Sequence, residues 1–214
     1  MLVIACLSQK GGVGKSTLCR LISVAYATAD WRVKIADFNV KQKTSTDWAA
    51  IRMAGKILPE ISAEAFNQVK VAMRQDFDLL VMDGRPDSDT STLELANEAD
   101  LIIVPTGVSV DDLQPQVRFA NELRSKGIDR RRIYFVINRS VDSQIAVEDA
   151  RAFVMSAGYA VFDTDIPMRV AYQMAQNTGR CILETTYATL NDRAGALASE
   201  IVTVLNDLTK EMTL

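Results

Sequence analysis

No histidine occurs among the 214 residues. This excludes imidazole general bases and His-containing triads and argues against a transition-metal centre. Cysteine is almost as scarce. Cys6, Cys19 and Cys181 are an odd set without C-x-x-C spacing, so neither a disulfide framework nor a zinc site is expected. They read instead as small apolar core residues in a reducing cytoplasm. No apolar run approaches the roughly 20 residues that span a bilayer. Met1 leads straight into the apolar run 2–7 with no basic segment before it, so no signal peptide is expected. A dominant charge is lacking too: 24 Lys and Arg stand against 27 Asp and Glu, for a net charge of -3. Attraction of the whole surface to nucleic acid is therefore not expected. Repeats, low-complexity tracts and linkers are missing, which leaves one domain over 1–214.

What the chain does contain is an alternation. Short apolar runs predict strands over 2–7, 33–36, 79–82, 101–104, 133–137 and 159–162. Most are apolar at both parities, as expected of strands covered on both faces. Between them, Leu18, Leu21, Ile22 and Ala25 mark one buried helical face. Ser62 is placed to cap a helix running through Phe66, Val69 and Met73. Asp111 or Asp112 opens another through Val117, Ala120 and Leu123, with Pro115 in its first turn and Gly127 as its stop. A last helix over 188–210 carries Ile201, Leu205, Leu208 and Met212 on one side. The pattern predicts an α/β fold, a mostly parallel sheet with helices on both faces and its ligand at the carboxyl ends of the strands.

The first strand runs into Lys10-Gly11-Gly12-Val13-Gly14-Lys15-Ser16-Thr17, which opens the first helix. That is the context of a phosphate loop. The glycines bring backbone N–H groups to the phosphates, and the helix N-terminus adds its positive dipole end. Lys15 would reach the β- and γ-phosphates of ATP, the Ser16 hydroxyl would hold Mg²⁺, and Thr17 would lie near the α-phosphate.

The plain pattern begins with glycine where this chain has Gln9, and lysine follows at Lys10. With that variant the chain resembles the ParA/MinD family of deviant Walker-A ATPases, nearest the short plasmid-partition type. The resemblance covers nearly the whole chain. Asp37-Phe38-Asn39 stands where the family has its D-x-D segment, and 79–83 looks like its Walker-B strand ending on Asp83. The run 99–105 resembles the next strand, and Ile137-Asn138-Arg139 the strand end that approaches adenine. The stretch 166–172 with Gly179, including Pro167, resembles the one that closes the base pocket. The family implies a P-loop NTPase fold and Mg·ATP as cofactor, with Asp37 and Asp83 joining Ser16 at the metal. It implies an ATP-dependent homodimer in which Lys10 reaches the partner's nucleotide, and a ParB-like or other cargo-adaptor protein as partner.

The chain departs from the family at Asn39, where a carboxylate orients the attacking water. Asparagine can orient water but cannot accept its proton, so slow hydrolysis is expected, unless Asp37 or an acid such as Asp87 takes over. Val40, Lys41 and Gln42 replace the usual proline and glutamine. The expected function is an ATP-switched protein that partitions or positions DNA or another cargo. An ATP-dependent metabolic synthetase or ligase is the alternative, disfavoured by the outward-facing Lys10. An iron–sulfur reductase is excluded, because no cysteine stands just after Asp83 or near 96–100. Arg124, Lys126, Arg130, Arg131 and Arg132 cluster at one helix end and turn, as a candidate surface for non-specific DNA in the dimer. No membrane binding is expected, since the last helix sets Glu200, Asp207 and Glu211 against Lys210.

Overall fold

Along β1 (Leu2–Ser8) the side chains divide between two cores. Val3, Ala5 and Leu7 enter one apolar cluster, and Ile4 and Cys6 enter the other. The period-2 alternation of a strand turns its continuously apolar sequence into two buried faces. The computed structural model describes residues 1–86 and 90–211. Asp87 and Met212 lie outside the described residues.

β2 (Val33–Asp37), β3 (Ser62–Ala65), β4 (Leu79–Pro86), β5 (Leu101–Thr106), β6 (Ile133–Ser140) and β7 (Ala160–Val161) join β1 in the order β3-β2-β4-β1-β5-β6-β7, and β8 (Ile166–Pro167) pairs with β6. Every pairing is parallel. The chain therefore starts in the middle of the sheet, builds one side, and returns past β1 to build the other. The crevice at such a reversal opens at the carboxyl ends of the strands.

Two layers of helix cover the sheet. α1 (Lys15–Thr28), α2 (Thr44–Ala54), α7 (Val170–Asn177) and α8 (Ala188–Glu211) supply Leu18, Trp48, Tyr172 and Ile201 to one cluster. α3 (Val69–Ala72), α4 (Thr90–Glu98), α5 (Val110–Ser125) and α6 (Gln144–Ser156) supply Ala72, Leu95, Val117 and Val147 to the other. All three cysteines are buried as free thiols. The stripe of α8 belongs to the core. Leu197, Ile201 and Leu205 are fully buried, each worth about 1.5–3 kcal/mol. Among the described residues, no helix is long and apolar enough to cross a membrane.

One helix expectation fails. Ser62 caps nothing; it begins β3, which pairs in register with β2 from Lys34↔Ser62 to Asp37↔Ala65. Only the single turn of α3 follows. Phe66 and Val69 are buried as the pattern required, but the alternation of exposed and half-buried residues along Ser62–Ala65 has period 2. The cap of α5 is Ser109, whose hydroxyl accepts the Asp112 N–H, and Asp111 and Asp112 fall in its first turn. Gly127 follows that helix in the left-handed region, at φ 95.

Candidate functional site

The loop between β1 and α1 is held from beneath. The Ser8 hydroxyl accepts the Lys10 N–H at 3.0 Å, donates to the Lys10 carbonyl at 3.1 Å, and accepts the Gln116 side-chain amide at 2.6 Å. Gly12 and Gly14 take left-handed backbone, φ 74 and 100, open to glycine at little cost. Gly14 is also the N-cap of α1, and no side chain caps that helix. Its first-turn amides and dipole thus face the crevice as an anion site. Lys15 is buried, with its ammonium 3.4 Å from the Lys10 carbonyl and 3.5 Å from that of Ser8. Burial lowers its pKa, and Asp83 pulls the other way.

Two carboxylates lie below the loop on neighbouring strands, in register as Asp37↔Asp83, and both are buried. Asp83 accepts the Ser45 hydroxyl at 2.6 Å, and Ser16 is near enough to help lower its pKa. Burial raises its pKa, against the pull of those groups. The oxygens of Asp37 go to backbone: Oδ1 accepts the Asn39 N–H at 3.0 Å, and Oδ2 accepts those of Ser45 at 2.9 Å and Thr46 at 3.2 Å. Asp37 therefore caps α2 from a distance in sequence, a role its spacing concealed. The Asn39 side chain donates to Gln42 at 2.7 Å.

From the end of β6, Asn138 is buried and donates to the Val13 carbonyl at 2.6 Å. Arg139 sits in left-handed backbone, φ 57, and donates to the Gly12 carbonyl at 2.7 Å. These two residues lean on the phosphate loop, and with Thr17, Pro167, Tyr172 and Gln176 they line a cavity of about 230 Å³. Thr17 donates to Gln176 at 3.0 Å. Gly11, Gly12, Val13, Gly14, Lys15, Ser16 and Thr17 are thus brought together with Asp37, Asp83, Asn138, Arg139 and Pro167.

Lys10 lies at the mouth of the site, its side chain 42% exposed, in an ion pair with Asp112 at the start of α5. Burial would raise the Asp112 carboxyl, but the bonds from Lys10 and Ser109 hold it below its ordinary value. The arginine cluster is elsewhere. Arg130–Arg132 form a 3₁₀ turn just before β6, at the amino ends of the strands. Arg132 donates to the Ala99 carbonyl at 2.7 Å and is half-buried, whereas Arg131, paired with Asp129 at 2.7 Å, is exposed along with Arg124, Lys126 and Arg130.

Sequence reasoning missed Ser45, Gln116 and Gln176. In sequence each looks like a surface polar residue, and only the fold turns them inward. Chemically, the arrangement offers a cationic cradle for a polyphosphate. The Ser16–Asp83 pair fits a hard divalent cation, which takes oxygen donors. Asp37, with both oxygens already accepting amides, fits that cation from behind, through its charge.

Residues 4–182 match the family described as the CobQ/CobB/MinD/ParA nucleotide binding domain. No curated protein sequence matches the chain. Among solved structures it is similar to the septum site-determining protein MinD of Pyrococcus horikoshii complexed with Mg-ADP, at 15% identity, TM-score 0.74, over 94% of this chain and 95% of that one. It is also similar to a Cyanothece McdA–ATP complex, at 14% identity, TM-score 0.70, over 94% and 96%. A Borrelia burgdorferi protein described as a plasmid partition protein, bound to AMPPNP, matches at 13% identity, TM-score 0.68, over 94% and 98%.

Proposed function

Given that this chain belongs to the CobQ/CobB/MinD/ParA nucleotide-binding family, we propose that it is an ATP-dependent dimerising switch that partitions or positions a cargo and hydrolyses ATP slowly. One observation carries the reading: a phosphate loop with two lysines in opposite situations. Lys15 is buried within the loop, and Lys10 stands half-exposed at its mouth. A lysine serving its own nucleotide is best buried beside it. One that serves a second subunit must be able to leave.

In this reading the amides of Gly12 to Lys15 and the ammonium of Lys15 bind the β- and γ-phosphates, and Ser16 and Asp83 hold Mg²⁺. When bound, the cation would neutralise part of the phosphate charge. Asp37 steadies the strand end and the first turn of α2. Asn138, Arg139 and Pro167 place the base. Asn39 orients water without taking its proton, so catalysis rests on positioning and on the charges of Lys15 and Lys10. Lys10 exchanges Asp112 for the partner's phosphates, which makes association depend on the third phosphate.

The rim around the loop agrees. Val110, Ile145, Met168, Val170 and Met174 are exposed apolar residues, and each follows the carboxyl end of a strand. A second copy of this chain would cover them. The exposed Arg124, Lys126 and Arg130, doubled in such a dimer, suit the phosphates of non-specific DNA, and a cargo adaptor would complete the system.

Sedimentation velocity tests the reading. A non-hydrolysable ATP analogue with Mg²⁺ is expected to convert tens of micromolar protein to a dimer, a range set by association free energies of about 8 kcal/mol. ADP should leave a monomer, as should the analogue with Lys10→Ala. A wild-type monomer throughout would remove the switch.

A further inference from the structure

One charge in the core is unused by the chemistry so far. Arg20 lies on α1 between Cys19 and Leu21 and is only 7% exposed. Burying a guanidinium is unfavourable unless its donors find partners. Burial lowers its pKa, and Asp83 and Asp37 are among the groups that oppose this. Its two arms point to different parts of the molecule. Nη1 donates to the side-chain oxygen of Gln176 at 3.0 Å, and Nη2 donates to the carbonyl of Thr44 at 2.7 Å. Its guanidinium carbon lies over Trp48, 5.4 Å from the ring centroid, and that of Arg52 lies 5.5 Å from the same centroid.

Each end of this bridge belongs to one half of the nucleotide site. Gln176 lines the cavity beside the phosphate loop and also accepts the Thr17 hydroxyl. Thr44 is the first residue of α2, and the next two residues hold the carboxylates: Ser45 binds Asp83, and Ser45 and Thr46 bind Asp37. The back of α2 is tied to the cavity side as well. Trp48 donates to the Arg180 carbonyl at 3.0 Å, and Arg52 donates to the Gly179 carbonyl at 3.1 Å.

Resting on the phosphate-loop reading, we propose that Arg20 is a positioning residue through which a base in the Gln176 cavity sets the first turn of α2 over Asp37 and Asp83. The guanidinium is a rigid planar fork, so Gln176 and Thr44 cannot shift independently while both bonds stand. A ligand that contacts Gln176 moves or fixes the fork, and the fork moves or fixes Ser45. A ligand with phosphates and no base fills the loop without engaging the fork. The protein would thereby distinguish a nucleotide from a bare polyphosphate at its metal end.

Trp48 provides a readout independent of turnover. The chain has two tryptophans, so Trp31→Phe leaves Trp48 as the sole indole reporter. In that background, Mg·ADP is expected to change Trp48 fluorescence, while Mg·tripolyphosphate binds with little change. Arg20→Met should abolish the ADP signal and weaken ADP by about tenfold, on the scale of charge-assisted hydrogen bonds, leaving tripolyphosphate affinity within about twofold. Arg20→Lys keeps the charge but not the fork and should behave like Arg20→Met. Gln176→Ala cuts the same link from half-buried α7 and should reproduce the pattern if the Arg20 variants fold poorly. Equal loss of both ligands, an undiminished ADP signal in Gln176→Ala, or full rescue by lysine would each overturn the proposal. If wild type binds neither ligand, the phosphate-loop reading itself falls, and the inference with it.

Discussion

A β-carbon placed on Gly14 would stand 2.0 Å from the side-chain nitrogen of Asn138. The glycine at the cap of α1 and the asparagine at the end of β6 are therefore fitted to each other, and the fit brings the Asn138 amide against the loop. The φ of 100 at Gly14 adds a second obstacle to any side chain. Gly14→Ala is expected to lower stability by about 2–3 kcal/mol, combining the left-handed cost with the clash. Gly14→Ala/Asn138→Ala should recover the clash and leave the backbone cost. Thermal melts of the two single variants and the double complete the cycle. Strict additivity would mean the two residues do not constrain one another.

Asn39 offers a gain-of-function test. Asn39→Asp supplies a carboxylate where the side chain now donates to Gln42. Single-turnover hydrolysis is expected to accelerate by about 10²-fold, the lower end of general-base contributions. An unchanged rate, or wild-type turnover of many per second, would refute the view that a missing base limits the reaction.

The Lys10–Asp112 pair predicts a second gain. Both side chains are partly exposed, 42% and 27%, so the pair is worth at most about 1 kcal/mol. Asp112→Asn should tighten the dimer formed with the ATP analogue by about two- to fivefold. Sedimentation equilibrium measures this directly. Weaker association would mean that Asp112 contributes more across the interface than it withholds from Lys10.

A pH experiment addresses the back of α2. Glu184 binds Arg52 through both oxygens, each at 2.8 Å. Burial alone would raise its carboxyl, but the bonds from Arg52 and the Cys181 N–H outweigh this and hold it below the ordinary 4.5. A depressed acid contributes stability that is fully present above its unfolded value and is lost as pH falls through the folded one. Glu184→Gln is expected to cost about 3 kcal/mol at pH 7, the scale of a broken buried pair. The gap to wild type should stay constant down to about pH 4.5 and close below it. Denaturant melts across pH 2–7 would reveal a flat difference if the pair were inert.

The site was legible in sequence where chemistry leaves few choices. The phosphate loop declared itself because its glycines and lysines are required at fixed places between a strand and a helix. The central strands were legible because both their faces are apolar. α2 was not: its buried face is Ser45, Trp48, Ala49 and Arg52. That spacing is helical, but half its members are polar and bind Asp37, Asp83 and Glu184, so no apolar stripe forms. β3 was hidden for a related reason, as a four-residue edge strand of Ser, Ala and Glu with little β-propensity, held by pairing with β2. α6 carried a readable signal, the Ser143 cap and the stripe Val147, Ala150 and Val154.

The arginine turn before β6 lies at the far end of strands whose other end carries the phosphate loop. Eight residues of extended chain separate these ends by about 26 Å. Two copies meeting over their nucleotides would therefore carry their basic turns on opposite outer flanks, facing apart. Such a pair could not grip one duplex like pincers. It would act as a cross-tie with a handle at each end, able to hold two segments of a polyanion or one segment and a neighbour.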